Sequence, residues 1–218
     1  MKVINCRRKV MNTSETKETK AFGGESNHKG ADLIPKSTNE TPNILAYDSG
    51  VVIATGNVKG VNHSTGTAGM GTYIAIKHDN GLVTRYQHLK YNCNKVVKGE
   101  RVKQGQAIGV YGRPETGNAY GSHLHFDVSA PTNIGGKVIS GTFCGEKRYY
   151  IDPIPYLELK TGTITSAVNI RTGAGTNYKI VGEKQAGEGV TIYGISGSWY
   201  RISPNLPRWI HKNYVREW

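Results

Sequence analysis

The sequence predicts a mainly all-β protein, an antiparallel sheet domain followed by a small β-barrel, and three observations predict it. Glycine is abundant, with 28 of 218 residues, and the apolar residues fall in short runs broken by Gly, Asn, Ser and Pro, the punctuation of many short strands. Several runs alternate: in G-S-H-L-H-F-D-V, residues 121–128, extended geometry points His123, His125 and Asp127 one way and Leu124, Phe126 and Val128 the other. A change of composition then splits the chain. Around I-D-P-I-P-Y-L-E-L-K-T-G, residues 151–162, prolines meet a short polar stretch, and all three tryptophans (Trp199, Trp209 and Trp218) lie beyond it.

Taken in order, residues 1–21 read as a polar lead-in, because N-T-S-E-T-K-E-T-K offers no periodic apolar pattern. Strands follow near I-L-A-Y, G-V-V-I-A-T-G, G-T-Y-I-A-I-K-H, L-V-T-R-Y-Q-H-L, Q-A-I-G-V-Y-G and H-L-H-F-D-V. Within K-H-D-N-G, the Asn80-Gly81 pair suits a tight hairpin turn with positive φ at both central residues. The first domain is read as residues 22–156, a linker as 157–161 and the second domain as 162–218. In that second part T-I-T-S, V-N-I-R, K-I-V-G, G-V-T-I-Y, W-Y-R-I and R-W-I-H recur between Gly-rich turns, which suggests a small barrel.

Composition narrows the partners. The net charge of +12 asks for a polyanion or a merely basic soluble surface, and an anionic bacterial wall satisfies the first. Nucleic acid is not expected: the basic residues are scattered, without a basic helix, a zinc-finger spacing or an aromatic RNA-binding signature. Membrane insertion is not expected either, since no stretch approaches the roughly 18 apolar residues of a span. The start, M-K-V-I-N-C-R-R-K-V, lacks an apolar h-region, so a mature secreted or phage-released form is expected. Cys6, Cys93 and Cys144 are odd in number and widely spaced, which describes neither a disulfide framework nor a thiolate zinc site; any metal must be held by nitrogen and oxygen.

The chemistry gathers on histidines. A zinc hydrolase needs three protein ligands and one open position, and His125 offers one ligand. In N-H-K-G-A-D-L-I, His28 and Asp32 share a face in extended conformation; a helix would also align them, but Gly30 lies between and no apolar periodicity surrounds it. His28, Asp32 and His125 thus make a set of two imidazoles and one carboxylate, suited to Zn2+. His123 on the same strand and His88 in Y-Q-H-L remain to move protons or to steady an oxyanion beside it.

H-K-G-A-D, Y-Q-H-L, the hairpin-like V-K-G-E-R-V-K-Q-G-Q-A-I-G and G-S-H-L-H-F-D-V occur in the order found in the lysostaphin-like (M23) metalloendopeptidases, which the chain resembles over about residues 22–156. The resemblance implies a mainly antiparallel sheet with a groove over zinc, His28, Asp32 and His125 as ligands, His88 and His123 as catalytic groups, and peptidoglycan peptides as substrate. Two positions depart from the pattern. Some crossbridge-cutting members carry a tyrosine shortly before the first metal histidine, where this chain has Phe22 and no tyrosine, which leaves their glycyl-glycine specificity unsupported here. Asp127 stands where the family often has Glu, either as a partner of a ligand or as a solvated strand residue. V-N-I-R-T-G-A-G-T-N-Y-K-I-V-G, W-Y-R-I and W-I-H-K-N-Y-V resemble a bacterial SH3 domain (SH3b), which implies attachment to the wall; Tyr178, Tyr193, Tyr200 and Tyr214 either line a peptide groove or fill the core, core being the commoner use in a barrel this small.

The expected function is therefore a zinc endopeptidase that cuts an amide in wall peptides, a phage endolysin or bacterial autolysin anchored by its C-terminal barrel. The alternative is a catalytically silent module of the same fold that binds the wall or regulates an amidase; such modules lack several of the five positions that this chain retains. His63, His78 and His211 are read as surface or turn residues.

Overall fold

The computed structural model describes residues 1–37, 39–59, 69–112 and 121–218. His63 lies outside the described residues. The first part of the chain forms β1 (Lys2–Ile4), β2 (Thr16–Lys20), β3 (Ala31–Pro35), β4 (Asn43–Leu45), β5 (Gly50–Gly56), β6 (Thr72–His78), β7 (Val83–Leu89), β8 (Arg101–Val102), β9 (Ala107–Val110), β10 (Leu124–Ala130), β11 (Val138–Phe143), β12 (Glu146–Ile151) and the short helix α1 (Ile154–Glu158). Ten of these strands make one sheet in the order β1-β2-β3-β10-β7-β6-β5-β8, with β12 also joined to β10 and β11 to β12; β4 and β9 pair separately. The pairings are antiparallel, as the alternating runs predict.

One face of β10 enters the core as expected: Leu124, Phe126 and Val128 are fully buried with Leu33, Ile74 and Tyr86, and the Tyr86 and Phe126 rings lie 5.3 Å apart. Each such side chain contributes roughly 1.5–3 kcal/mol by leaving water. The opposite face divides. At the His125 level it opens to solvent, while lower down Met70, Ala75, Val83 and Phe143 form a second cluster that covers it.

Several sequence expectations are corrected. Residues 1–21 are no loose lead-in: β1 and β2 extend the sheet beside β3, and Ile4, Val10 and Met11 are buried in the main core. Ladder hydrogen bonds use backbone groups that every residue carries, so T-K-E-T-K makes a strand without an apolar signature. The β6–β7 turn has left-handed backbone at Gly81 (φ +82°) but not at Asn80; the Gly81 amide bonds the His78 carbonyl and the Leu82 carbonyl accepts from the His78 amide. That is a three-residue loop with glycine in the left-handed position. His78 starts this turn, one of the two roles read for it, but it is not at the surface. It is 3% exposed, its Nδ1 donates to the Ser49 carbonyl and its Nε2 meets the Thr84 hydroxyl. The two strands of V-K-G-E-R-V-K-Q-G-Q-A-I-G do not pair with each other, because β8 joins β5 and β9 joins β4.

The second part forms β13 (Lys160–Ile164), β14 (Val168–Arg171), β15 (Ile180–Lys184), β16 (Gly189–Ile192), β17 (Gly194–Ser196), β18 (Trp199–Arg201), β19 (Trp209–His211) and β20 (Val215–Glu217). They make two small sheets, β16-β13-β20 and β15-β14-β19-β18-β17, around Ile164, Val168, Val190, Ile192, Tyr200 and Ile210. Of the four tyrosines singled out in the sequence, Tyr200 is core, Tyr193 packs on the core of the first part, and Tyr178 and Tyr214 are exposed. Tyr214 borders a cavity of about 400 Å³ with Arg171, Trp199 and His211.

The two parts are docked through a polar and aromatic clamp. Trp209, 1% exposed, donates from Nε1 to the Ile134 carbonyl at 3.2 Å. Arg201, 4% exposed, donates to the Tyr156 hydroxyl (3.0 Å) and the Tyr193 carbonyl (2.7 Å), and Tyr156 in turn donates to the Pro204 carbonyl. Asn205 reaches the Asn80 carbonyl at 2.6 Å. The connecting segment over 157–161 is itself structured, with Leu157 fully buried and β13 starting at Lys160.

Candidate functional site

The register of β10 builds the site. His125 stands opposite Asp32 of β3 on one side and Gln87 of β7 on the other, and Asp127 stands opposite Arg85. His28 arrives from a single 3-10 turn over Glu25–Asn27, just before β3. The glycine between them has a packing role: a Cβ on Gly30 would fall 2.4 Å from the Phe126 carbonyl oxygen and 2.8 Å from His125 Nε2. Only a bare backbone lets the entry to β3 lie against β10.

Three ligand atoms converge. His28 Nε2 is 3.1 Å from Asp32 Oδ1 and 3.0 Å from His125 Nδ1, and His125 Nδ1 is 3.0 Å from Asp32 Oδ1. The remaining ring nitrogens are committed elsewhere. His28 Nδ1 donates to the Ala21 carbonyl at 3.0 Å, and His125 Nε2 faces the Asp127 carboxylate at 3.6 Å. Neutral rings with those outer protons direct two lone pairs and a carboxylate at one point, which only a cation or an added proton reconciles. Two nitrogens and one oxygen with a side open to solvent fit the ligand chemistry of zinc.

His123 and His88 flank this point. His123 Nδ1 donates to the Gly121 carbonyl at 3.0 Å, which leaves the Nε2 lone pair toward the site, 3.8 Å from Asp32 Oδ1. The His88 ring lies 4.8 Å from that of His123 and 5.9 Å from that of His125. Alternation along β7 would send His88 away from Gln87. Its backbone is left-handed (φ +62°) beside a register break between β6 and β7, and this kink, which costs about 1 kcal/mol, lets both side chains line the groove. The groove has a volume of about 590 Å³; Lys20 and Ser26 border it too, so β2, part of the expected lead-in, supplies a groove residue.

The electrostatics follow from burial and pairing. Burial alone would raise the Asp32 carboxyl, but hydrogen bonds from His125 and His28, available when the added proton sits on an inward ring nitrogen, hold it far below the usual carboxylate range. Burial would likewise lower His125, yet the carboxylates of Asp127 and Asp32 outweigh it and leave the imidazole raised. Asp127 is not a solvated strand residue. It is fully buried, accepts from Arg85 Nε at 2.9 and 3.0 Å and from Gln87 Nε2 at 2.8 Å, and its carboxyl is lowered despite burial, chiefly by Arg85.

Arg85 and Gln87 went unnoticed in the sequence, although both alternate with apolar positions in V-T-R-Y-Q-H-L on the side facing β10. Arg85 is sandwiched between Phe143 (4.7 Å) and Tyr150 (4.8 Å). Asp127→Ala strands this buried guanidinium and is expected to lower the unfolding free energy by about 3–5 kcal/mol. Urea denaturation measures it, and a loss under about 1 kcal/mol would show that water replaces the carboxylate.

A family model described as "Peptidase family M23" matches residues 26–139, and one described as "Bacterial SH3 domain" matches residues 166–216. The peptidoglycan DD-endopeptidase ShyC of Vibrio cholerae serotype O1 is 47% identical over 57 residues, 26% of this chain and 12% of that protein. ShyA of the same organism is 43% identical over 58 residues, 27% of this chain and 13% of that protein. The chain thus spans about an eighth of the length of these relatives. The solved structure of the antimicrobial peptidase lysostaphin from Staphylococcus simulans is similar at 18% identity and a TM-score of 0.44, covering 89% of this chain and 87% of that one. With a family match across just over half of its residues, in the part that holds all five converging side chains, the chain belongs to peptidase family M23.

Proposed function

We propose that this protein is a zinc-dependent endopeptidase that hydrolyses an amide bond in the peptide part of bacterial peptidoglycan, held to the wall by its C-terminal SH3 module. In this reading the catalytic unit is residues 22–156 with the two strands that residues 1–21 add, and the wall-binding unit is residues 162–218. His28, Asp32 and His125 are the metal ligands; His88 and His123 are the catalytic residues. The observation that carries the proposal is the convergence of three acceptor atoms within 4.8 Å of one another, beside two further imidazoles in an open groove. The description of the Vibrio relatives as peptidoglycan DD-endopeptidases supports the peptide part of the polymer as substrate.

Zinc bound by two imidazoles and a carboxylate supplies a Lewis acid that activates water near neutral pH and polarises the scissile carbonyl. The chain's own residues do the rest. His123, whose Nδ1–H is tied to Gly121, offers Nε2 to take the proton of the attacking water. The His123 imidazolium formed in that step returns the proton to the leaving amine, while His88 stands across from it to steady the developing oxyanion. The net charge of +12 draws the enzyme to anionic wall polymers.

Digestion of purified peptidoglycan, with mass analysis of the fragments, is expected to yield new peptide amino termini on intact glycan strands. Fragments with cleaved sugar linkages alone, or no fragments, would overturn the proposal.

A further inference from the structure

The loop that presents His28 is conformationally costly. Gly23, Ser26 and Asn27 all adopt left-handed backbone (φ +64°, +60° and +53°), and the loop closes on itself through the Gly23 amide to the His28 carbonyl (2.7 Å), the Gly24 amide to the Ala21 carbonyl (3.3 Å) and His28 Nδ1 to the same Ala21 carbonyl (3.0 Å). Support also comes from outside. Lys137 Nζ donates to the Gly23 carbonyl at 3.0 Å, and its stem lies so close over Gly23 that a Cβ there would fall 2.4 Å from Lys137 Nζ.

Lys137 is itself held from the C-terminal module. The two residues before it, Gly135 and Gly136, both have φ +77°, and a Cβ on either would lie 3.1 Å from the Trp209 indole. Trp209 closes on them by bonding the Ile134 carbonyl, and Arg201 approaches the Gly135 carbonyl at 3.5 Å. Paired glycines have wide conformational freedom, so the indole above them restricts how the chain enters Lys137 from its N-terminal side, while β11 holds the other side through the Val138–Ile151 pairing.

We infer that the C-terminal module positions the metal site: Trp209, through residues 134–137 and Lys137, holds the loop that carries His28. Lys137 and Trp209 are positioning residues, since neither reaches the ligand atoms. The inference rests on His28 as a metal ligand. Loosening the loop frees the Ala21 carbonyl from His28 Nδ1, and losing the outer partner of a ligating histidine weakens metal binding about 10- to 100-fold.

The test uses the full chain as wild type, Lys137→Met, Lys137→Arg and Trp209→Ala. Zinc affinity is read by competition with a chromophoric chelator, and hydrogen exchange of the Gly23 amide is read on the metal-free protein. Lys137→Met and Trp209→Ala are expected to weaken zinc binding about tenfold or more and to speed exchange at Gly23, with Lys137→Arg near wild type. Should Trp209→Ala fail to fold, Trp209→Phe, which keeps an aromatic ring and removes the indole donor, takes its place with the same direction of effect. Zinc affinity within about twofold of wild type in either the Lys137→Met or the Trp209 variant overturns the inference. If the wild type binds no zinc, the reading of His28 as a ligand fails; Gly23 exchange in the metal-free chain still decides whether the brace exists.

Discussion

His125→Ala is expected to abolish both metal binding and wall lysis while leaving the fold in place. Structural zinc sites release about 10–16 kcal/mol over four ligands, so each ligand carries on the order of 3 kcal/mol, or about 100-fold in affinity. His125 also keeps Asp32 and His28 aligned, and its loss removes a contact from each. The sheet tolerates the change, because Asp127 below it stays paired with Arg85 and Gln87. Zinc stoichiometry after dialysis and the turbidity of a wall suspension measure the two effects. A variant that retains a full equivalent of zinc, or that lyses walls, would sink the ligand assignment.

His123→Ala is expected to separate the two properties: zinc is retained close to wild-type affinity, and turnover falls by about 10²–10⁴, the contribution of a positioned acid or base. The separation follows from geometry. His123 Nε2 is 3.8 Å from Asp32 Oδ1, outside the tight trio, and its other nitrogen is anchored on the backbone. Its removal opens space in the groove without unpinning a ligand. The informative readout is kcat at saturating substrate beside the zinc content of the same preparation. Loss of metal together with activity would move His123 into the ligand set, and unchanged kcat would remove it from the reaction.

The site was legible in the sequence to an unusual degree because its two halves are short and local. Period-2 alternation is a property of extended backbone, so G-S-H-L-H-F-D-V states on its own that His123, His125 and Asp127 share a side. H-K-G-A-D likewise pairs His28 with Asp32 within one extended segment. The outcome for Asp127 was not legible. Whether that side of β10 meets solvent or a second layer depends on the β11–β12 hairpin, which brings Phe143 and Tyr150 over Arg85. His88 was identified as a chemical residue, but alternation assigns it to the wrong face; the register break that turns it toward the groove comes from how β7 meets β6.

By itself, then, the sequence determined the β character, the alternation of β10, the residue types of a candidate nitrogen–oxygen metal site and the second module, all properties written in spacing and composition over a few neighbouring positions. Only the tertiary structure decided that Asp32 and His125, 93 positions apart, stand face to face, that residues 1–21 complete the sheet, that Asp127 is buried on Arg85, and that Trp209 and Arg201 clamp the modules together. The reason is physical: strand pairing and interface packing use backbone groups and shapes that many sequences share, so the partner is chosen by the whole set of competing contacts and not by any local pattern.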